Sequence, residues 1–154
     1  KEQKHLQKCR CFFLLCYTPF IAYHIVKAQF FEETIDYRES FKVIYMNRSN
    51  HVLGCLTVSE GGPCSTAVDV KLILQGALLT NASGIILAHN HPSGNLKPSK
   101  PDKIMTERIR KALTVMEVNL LDHLIVTRES YFSFVDMIHH LYVRKRLHRS
   151  ATFL

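Results

Sequence analysis

Residues 84–94 read Gly84-Ile85-Ile86-Leu87-Ala88-His89-Asn90-His91-Pro92-Ser93-Gly94. Five residues, apolar after the opening glycine, form the short continuous run expected of a strand covered on both faces. A strand covered twice needs helices above and below it, so the expected fold is an α/β or α+β sandwich around a mixed sheet. In an extended chain, residues i and i+2 point to the same side. His89 and His91 therefore project together where the strand ends, and Pro92-Ser93-Gly94 turns the chain away from it.

Asp102 stands eleven residues after His91, across a polar loop containing Pro92, Gly94 and Pro98. Such a loop can fold back and present the carboxylate to the two imidazoles. Two histidines and one carboxylate suit a zinc ion that keeps a position open for water. Zinc would lower that water's pKa from ~15.7 toward ~7 and make it a nucleophile at neutral pH. Ser99-Lys100-Pro101-Asp102 also has the form of a helix start, with Ser99 as N-cap and the acid at the positive end of the helix dipole. The two readings are compatible, because a helix N-terminus can hold Asp102 in place while it ligates. His-x-His alone says little in a chain with nine histidines; the combined H-x-H-P-x6-S-x-x-D spacing says far more.

The flanking segments fill in the sandwich. Phe41–Met46 and His51–Val58 are β-rich runs joined by Asn47-Arg48-Ser49-Asn50, which is turn chemistry, so they predict a hairpin. Asp69–Thr80 reads as a helix capped by Asp69, with Leu72, Ile73, Ala77 and Leu78 facing inward. Ser99–Met116 reads as another, with Ile104, Met105, Ile109, Ala112, Leu113 and Met116 on one side. Leu121–Thr127 and Tyr131–Val135 predict a further strand pair. Upstream, Phe20–Thr34 has helix-compatible spacing.

Of 154 residues, 47% are hydrophobic and 21% charged, which excludes a disordered chain and suits one domain. The net charge of +7 is confined to the ends: residues 1–10 carry +3, residues 141–154 carry +4, and the 130 between them sum to zero. Basic ends can bind nucleic acid weakly, whereas a neutral centre argues against a dedicated groove. Five cysteines, an odd number, fit reduced thiols in a cytoplasmic protein rather than a disulfide framework. The spacing of Cys9, Cys11 and Cys16 is not that of a metal cluster. Cys11–Val26 is apolar but short for a membrane span and interrupted by Pro19 and His24. Residues 1–24 are thus expected to form a basic and apolar extension, 25–137 the domain, and 138–154 a basic tail.

The H-x-H-P-x6-S-x-x-D pattern resembles the JAMM (MPN+) metalloprotease motif, and within it the RadC family. Also similar to RadC proteins are Arg38-Glu39-Ser40-Phe41-Lys42-Val43, Met46-Asn47-Arg48-Ser49-Asn50, Ser59-Glu60-Gly61-Gly62, Leu121-Asp122-His123-Leu124-Ile125-Val126 and Tyr131-Phe132-Ser133-Phe134. Asn90 stands where the eukaryotic-type motif has Ser or Thr; Asn is the RadC form. The resemblance covers roughly residues 25–136 and implies a JAMM/MPN-like, cytidine-deaminase-like architecture. It implies zinc held by His89, His91 and Asp102, an oxyanion-stabilising Ser99, and Glu39 as the general base of a peptide or isopeptide hydrolase. Glu60 is the second choice of base, because the Gly61-Gly62 turn could swing it toward the site. Two competing readings remain: a DNA-repair-associated protein acting through its basic ends, and a catalytically silent scaffold. Asp122-His123 has the look of a carboxylate–imidazole pair, but its place before a buried strand favours a satisfied core residue.

Overall fold

The structure, a computed structural model, describes residues 6–7, 19–30, 32–61 and 68–135. Among the described residues, six strands and three helices follow in the order β1 (Leu6–Gln7), α1 (Pro19–Lys27), β2 (Ser40–Met46), β3 (Val52–Glu60), α2 (Val70–Leu79), β4 (Gly84–Asn90), α3 (Lys100–Val115), β5 (Asn119–Val126) and β6 (Tyr131–Ser133). They form one mixed sheet in the order β1-β3-β2-β4-β5-β6. The β2–β3 hairpin is antiparallel, as its turn chemistry predicts. β4 pairs antiparallel with β2 and parallel with β5, the latter across the α3 crossover. The fold is thus an α+β sandwich with a mixed sheet.

Strand alternation divides the core into two layers. Ile44, Met46, Ile86, Ala88, Leu124 and Val126 pack with Ala22, Ile25 and Val26 of α1. Phe41, Val43, Tyr45, Ile85 and Leu87 pack with Ile73 and Ala77 of α2 and Ile109 and Leu113 of α3. Each fully buried Val, Leu, Ile, Met or Phe among them contributes about 1.5–3 kcal/mol. Every residue of β2 and β4 is buried, as the reading of Gly84–Ala88 requires. The alternation continues beyond the apolar run: His89 follows Leu87 onto the α3 side, and Asn90 follows Ala88 onto the α1 side.

Four expectations need correction. The first helix ends at Lys27 instead of reaching Thr34; i→i−3 bonds from Gln29 and Phe30 tighten its end, and Phe30 and Ile35 fold back into the α1 layer. Leu72 and Leu78 are 42% and 68% exposed, because α2 buries only the narrow stripe Ile73, Gly76 and Ala77. Ile104 is 60% exposed: it stands about 200° around α3 from Asp102, whereas Ile109 and Leu113 fall almost in line with Asp102. β6 stops at Ser133 rather than Val135, since the Val135 N–H donates to the Asp122 carboxylate instead of to the ladder. The readings of Cys9, Cys11, Cys16, Gly62 and residues 138–154 lie outside the described residues. Among the described residues, no helix is long and apolar enough to cross a membrane.

Candidate functional site

The C-terminal end of β4 meets the N-terminal end of α3 at one point, and the candidate ligands converge there. His89 is the penultimate residue of β4, and its ring packs on Phe41 of β2. His91 follows the strand; its N–H still donates to the Val126 carbonyl of β5, which keeps it in register. The His91 carbonyl then accepts from the Gly94 N–H, and Gly94 takes a φ of +74°, the left-handed value that glycine adopts without strain.

Asp102 reaches the histidines because it lies on the buried stripe of α3. The helix-start reading of Ser99–Asp102 holds, in a geometry that also turns the carboxylate toward the histidines. Ser99 is the N-cap: its Oγ accepts from the Asp102 N–H at 3.2 Å, and its own N–H donates to Asp102 Oδ2 at 2.7 Å. The other oxygen, Oδ1, faces His89 Nε2 at 3.6 Å, while Oδ2 also lies 3.7 Å from His91 Nε2. Capping thus fixes the carboxylate and leaves one oxygen turned toward the imidazoles.

The Nε2 atoms of His89 and His91 are 2.9 Å apart. Their outer nitrogens decide where the protons sit. His91 Nδ1 meets the Asn95 carbonyl, which can only accept, so Nδ1 carries the hydrogen. His89 Nδ1 meets His123 Nε2 at 2.8 Å. Neutral rings so arranged aim two nitrogen lone pairs and a carboxylate at the same small volume, a donor set that calls for a cation. One atom from each of His89, His91 and Asp102 lies within 4.8 Å of the others, and the group could hold a metal ion.

The electrostatics treat the two rings differently. Burial pushes His89 down to about 4, so it stays neutral. His91 moves the other way: the Asp102 carboxylate raises it, and the charge of Glu39 adds to the effect. Burial raises the Asp102 carboxyl, but the neighbouring His91 imidazole and the hydrogen bond from Ser99 outweigh it and hold the group well below the usual carboxylate range.

Glu39 lies just before β2. Phe41 pairs with His89 across the sheet, so strand alternation carries Glu39 toward His91 on the same side. Glu60 is paired with Ser40, in the row that faces α1, and its carboxylate meets Arg38 at 3.8 Å with both groups about half exposed. The structure therefore gathers Glu39, His89, His91, Ser99 and Asp102 and leaves Glu60 on the other side of the sheet.

Three residues of the site were not legible as such. Asn90 is fully buried; its amide donates to the carbonyls of Ile35 and Arg38, and its Oδ1 accepts from the Ser40 N–H at 2.8 Å. It ties the segment bearing Glu39 to the strand bearing the histidines. His123 abuts His89, and Thr106 abuts His123 at 2.6 Å. The sequence favoured a satisfied core residue at His123, and it is one: it is buried with both ring nitrogens engaged, by His89 and Thr106 rather than by Asp122. Asp122 faces away and accepts from Ser133 and the backbone N–H groups of His123 and Val135. The signal that could have found His123 is strand period: it pairs with Leu87 and so shares the face of His89.

A family model described as the RadC-like JAB domain matches residues 17–140. The chain belongs to the RadC family. It is 47% identical over 98 residues to a UPF0758 protein of Flavobacterium johnsoniae, covering 64% of this chain and 43% of the relative. Similarity to the UPF0758 protein YeeS of Escherichia coli is 40% over 99 residues, 64% of this chain and 67% of the relative. A UPF0758 protein of Thermotoga maritima is 41% identical over 97 residues, 63% of this chain and 44% of the relative. The chain spans less than half the length of two of these three relatives. The β-sandwiching helices, the sheet and the His-His-Asp group are consistent with the JAB/MPN-like fold of this family.

Proposed function

We propose that this RadC domain is a zinc-dependent hydrolase of peptide or isopeptide bonds. The observation that carries the reading is the convergence of two imidazole lone pairs and a capped carboxylate at the mouth of the sheet. Zinc bound there would supply an acidified water and polarise a carbonyl. Glu39, whose charge acts on His91, takes the proton from the attacking water and returns it to the leaving amine. Ser99 accepts from Asp102 through its Oγ, and its hydroxyl proton can donate to the developing oxyanion. Phe41 and Phe134 pack on the buried imidazoles and exclude water from behind the ligands. A cytoplasmic location fits the thiol content, and a protein or peptide is the substrate class. DNA binding would fall to the basic ends, largely outside the described residues.

Metal content tests the reading. The purified protein should hold about one zinc per chain by elemental analysis, and His91→Ala should hold none. Zinc persisting at parent stoichiometry in that variant would remove this site.

Acidity supplies an independent check. Zinc requires deprotonated ligands. His91 is raised and His89 lowered to about 4, so from about pH 5 to about pH 6.5 only one ligand carries a proton to displace. Zinc affinity should therefore rise roughly tenfold per pH unit over that range. Chelator competition measures it. A hundredfold rise per unit would mean that both imidazoles are protonated in the metal-free protein.

A further inference from the structure

A chain of hydrogen bonds leaves the site through the back of His89 and returns to it. His89 Nδ1 lies 2.8 Å from His123 Nε2, His123 Nδ1 lies 2.6 Å from Thr106 Oγ1, and Thr106 Oγ1 lies 2.6 Å from the backbone carbonyl of Asp102. Both imidazoles are 1% exposed, so water does not compete for these groups. His123 is stacked on Phe134 with ring centroids 4.7 Å apart and the planes at 10°, which fixes its ring plane.

The terminal carbonyl sets the direction of every proton in the chain. It can only accept, so the Thr106 hydroxyl donates to it, and Thr106 Oγ1 is left to accept from His123 Nδ1–H. His123 Nε2 then bears a lone pair and accepts from His89 Nδ1–H. His89 Nε2 is consequently unprotonated and faces His91 and Asp102. We infer that His123 and Thr106 are positioning residues that preset His89 in the tautomer able to ligate a metal, using the backbone of Asp102 as the reference point. This rests on the metal-site reading above. An imidazole behind the ligand, unlike a carboxylate, must itself be oriented to accept from His89, which is the task of Thr106.

Thr106→Val tests it, because valine keeps the shape of threonine and removes the hydroxyl. His123 then has no acceptor at Nδ1 and can place its proton on Nε2, which drives the His89 proton onto the metal-facing nitrogen. Two quantities are read: the nitrogen-15 NMR tautomer of His89 in the metal-free protein at mildly alkaline pH, and the affinity for zinc by chelator competition. The expected result is a loss of the Nδ1–H tautomer of His89 in Thr106→Val and zinc binding weaker by about 10–100-fold, with both restored in Thr106→Ser. An unchanged His89 tautomer in Thr106→Val overturns the inference whatever the affinity does. So does an altered tautomer with parent-like zinc affinity, or a Thr106→Ser variant that behaves like Thr106→Val. Failure of the parent protein to take up zinc would sink the metal reading, while the tautomer measurement on metal-free protein would still decide whether the chain orients His89.

Discussion

Glu39→Gln should fold and take up zinc as the parent does, yet hydrolyse a peptide or isopeptide substrate about 10²–10⁴-fold more slowly. Glutamine keeps the length and hydrogen-bonding ends of glutamate but cannot accept and return a proton. The expectation rests on position. Glu39 stands two residues before Phe41, whose ring packs on His89, and its charge is felt at His91. Asn90 holds this segment through bonds to Ile35, Arg38 and Ser40, so the backbone that carries Glu39 is tied to β4 by a buried amide rather than left on a loose loop. Glu60→Gln is the contrasting variant. Its carboxylate is engaged by Arg38 in the row that faces α1, and the substitution should leave turnover unchanged. Rates measured on both proteins at matched zinc content decide the matter. A dead Glu60→Gln beside a fully active Glu39→Gln would exchange the two roles.

How much of this was legible in the sequence follows from how local each signal is. The run Gly84–Ala88 announces a strand covered twice because its burial is written in consecutive residues, and β4 is buried from end to end. Ser99-x-x-Asp102 is equally local, and the capping box forms as its spacing requires. The α2 and α3 faces were harder. Leucine and isoleucine at helical spacing look inward-facing on paper, but a short helix against a sheet buries one narrow stripe, so Leu72, Leu78 and Ile104 remain outside. The support behind the ligands was least legible. His89, Thr106 and His123 come from β4, α3 and β5, and only the parallel pairing of β4 with β5 sets His123 beside Leu87 and within reach of His89. Asn90 illustrates the same limit: its identity was visible as a departure from the Ser or Thr of related motifs, but its three partners lie 50 to 55 residues away in the chain.

Replacing Asp102 in two ways should separate its two tasks. In the parent, zinc at about a thousand times its Kd should stabilise the fold by about 4.1 kcal/mol. For a chain of this size that is a rise of about 8–16 °C in Tm. Asp102→Ala and Asp102→Asn should both lose this zinc-induced shift, because neither offers an anionic oxygen to the metal position where Oδ1 now faces His89. Without zinc the two should differ. Alanine removes the acceptor for the Ser99 N–H and with it half of the capping box, at a cost of about 1 kcal/mol. Asparagine retains an oxygen that can accept from the same N–H, so its metal-free Tm should lie closer to the parent's. Thermal melts of the three proteins, with chelator and with excess zinc, give all six values. If Asp102→Asn keeps the full zinc-induced shift, the carboxylate is a helix cap and nothing more, and the two histidines must find their third ligand elsewhere. If instead both variants lose the shift but melt alike without metal, ligation is the carboxylate's whole task, and the capping bonds seen at 2.7 and 3.2 Å serve only to aim it.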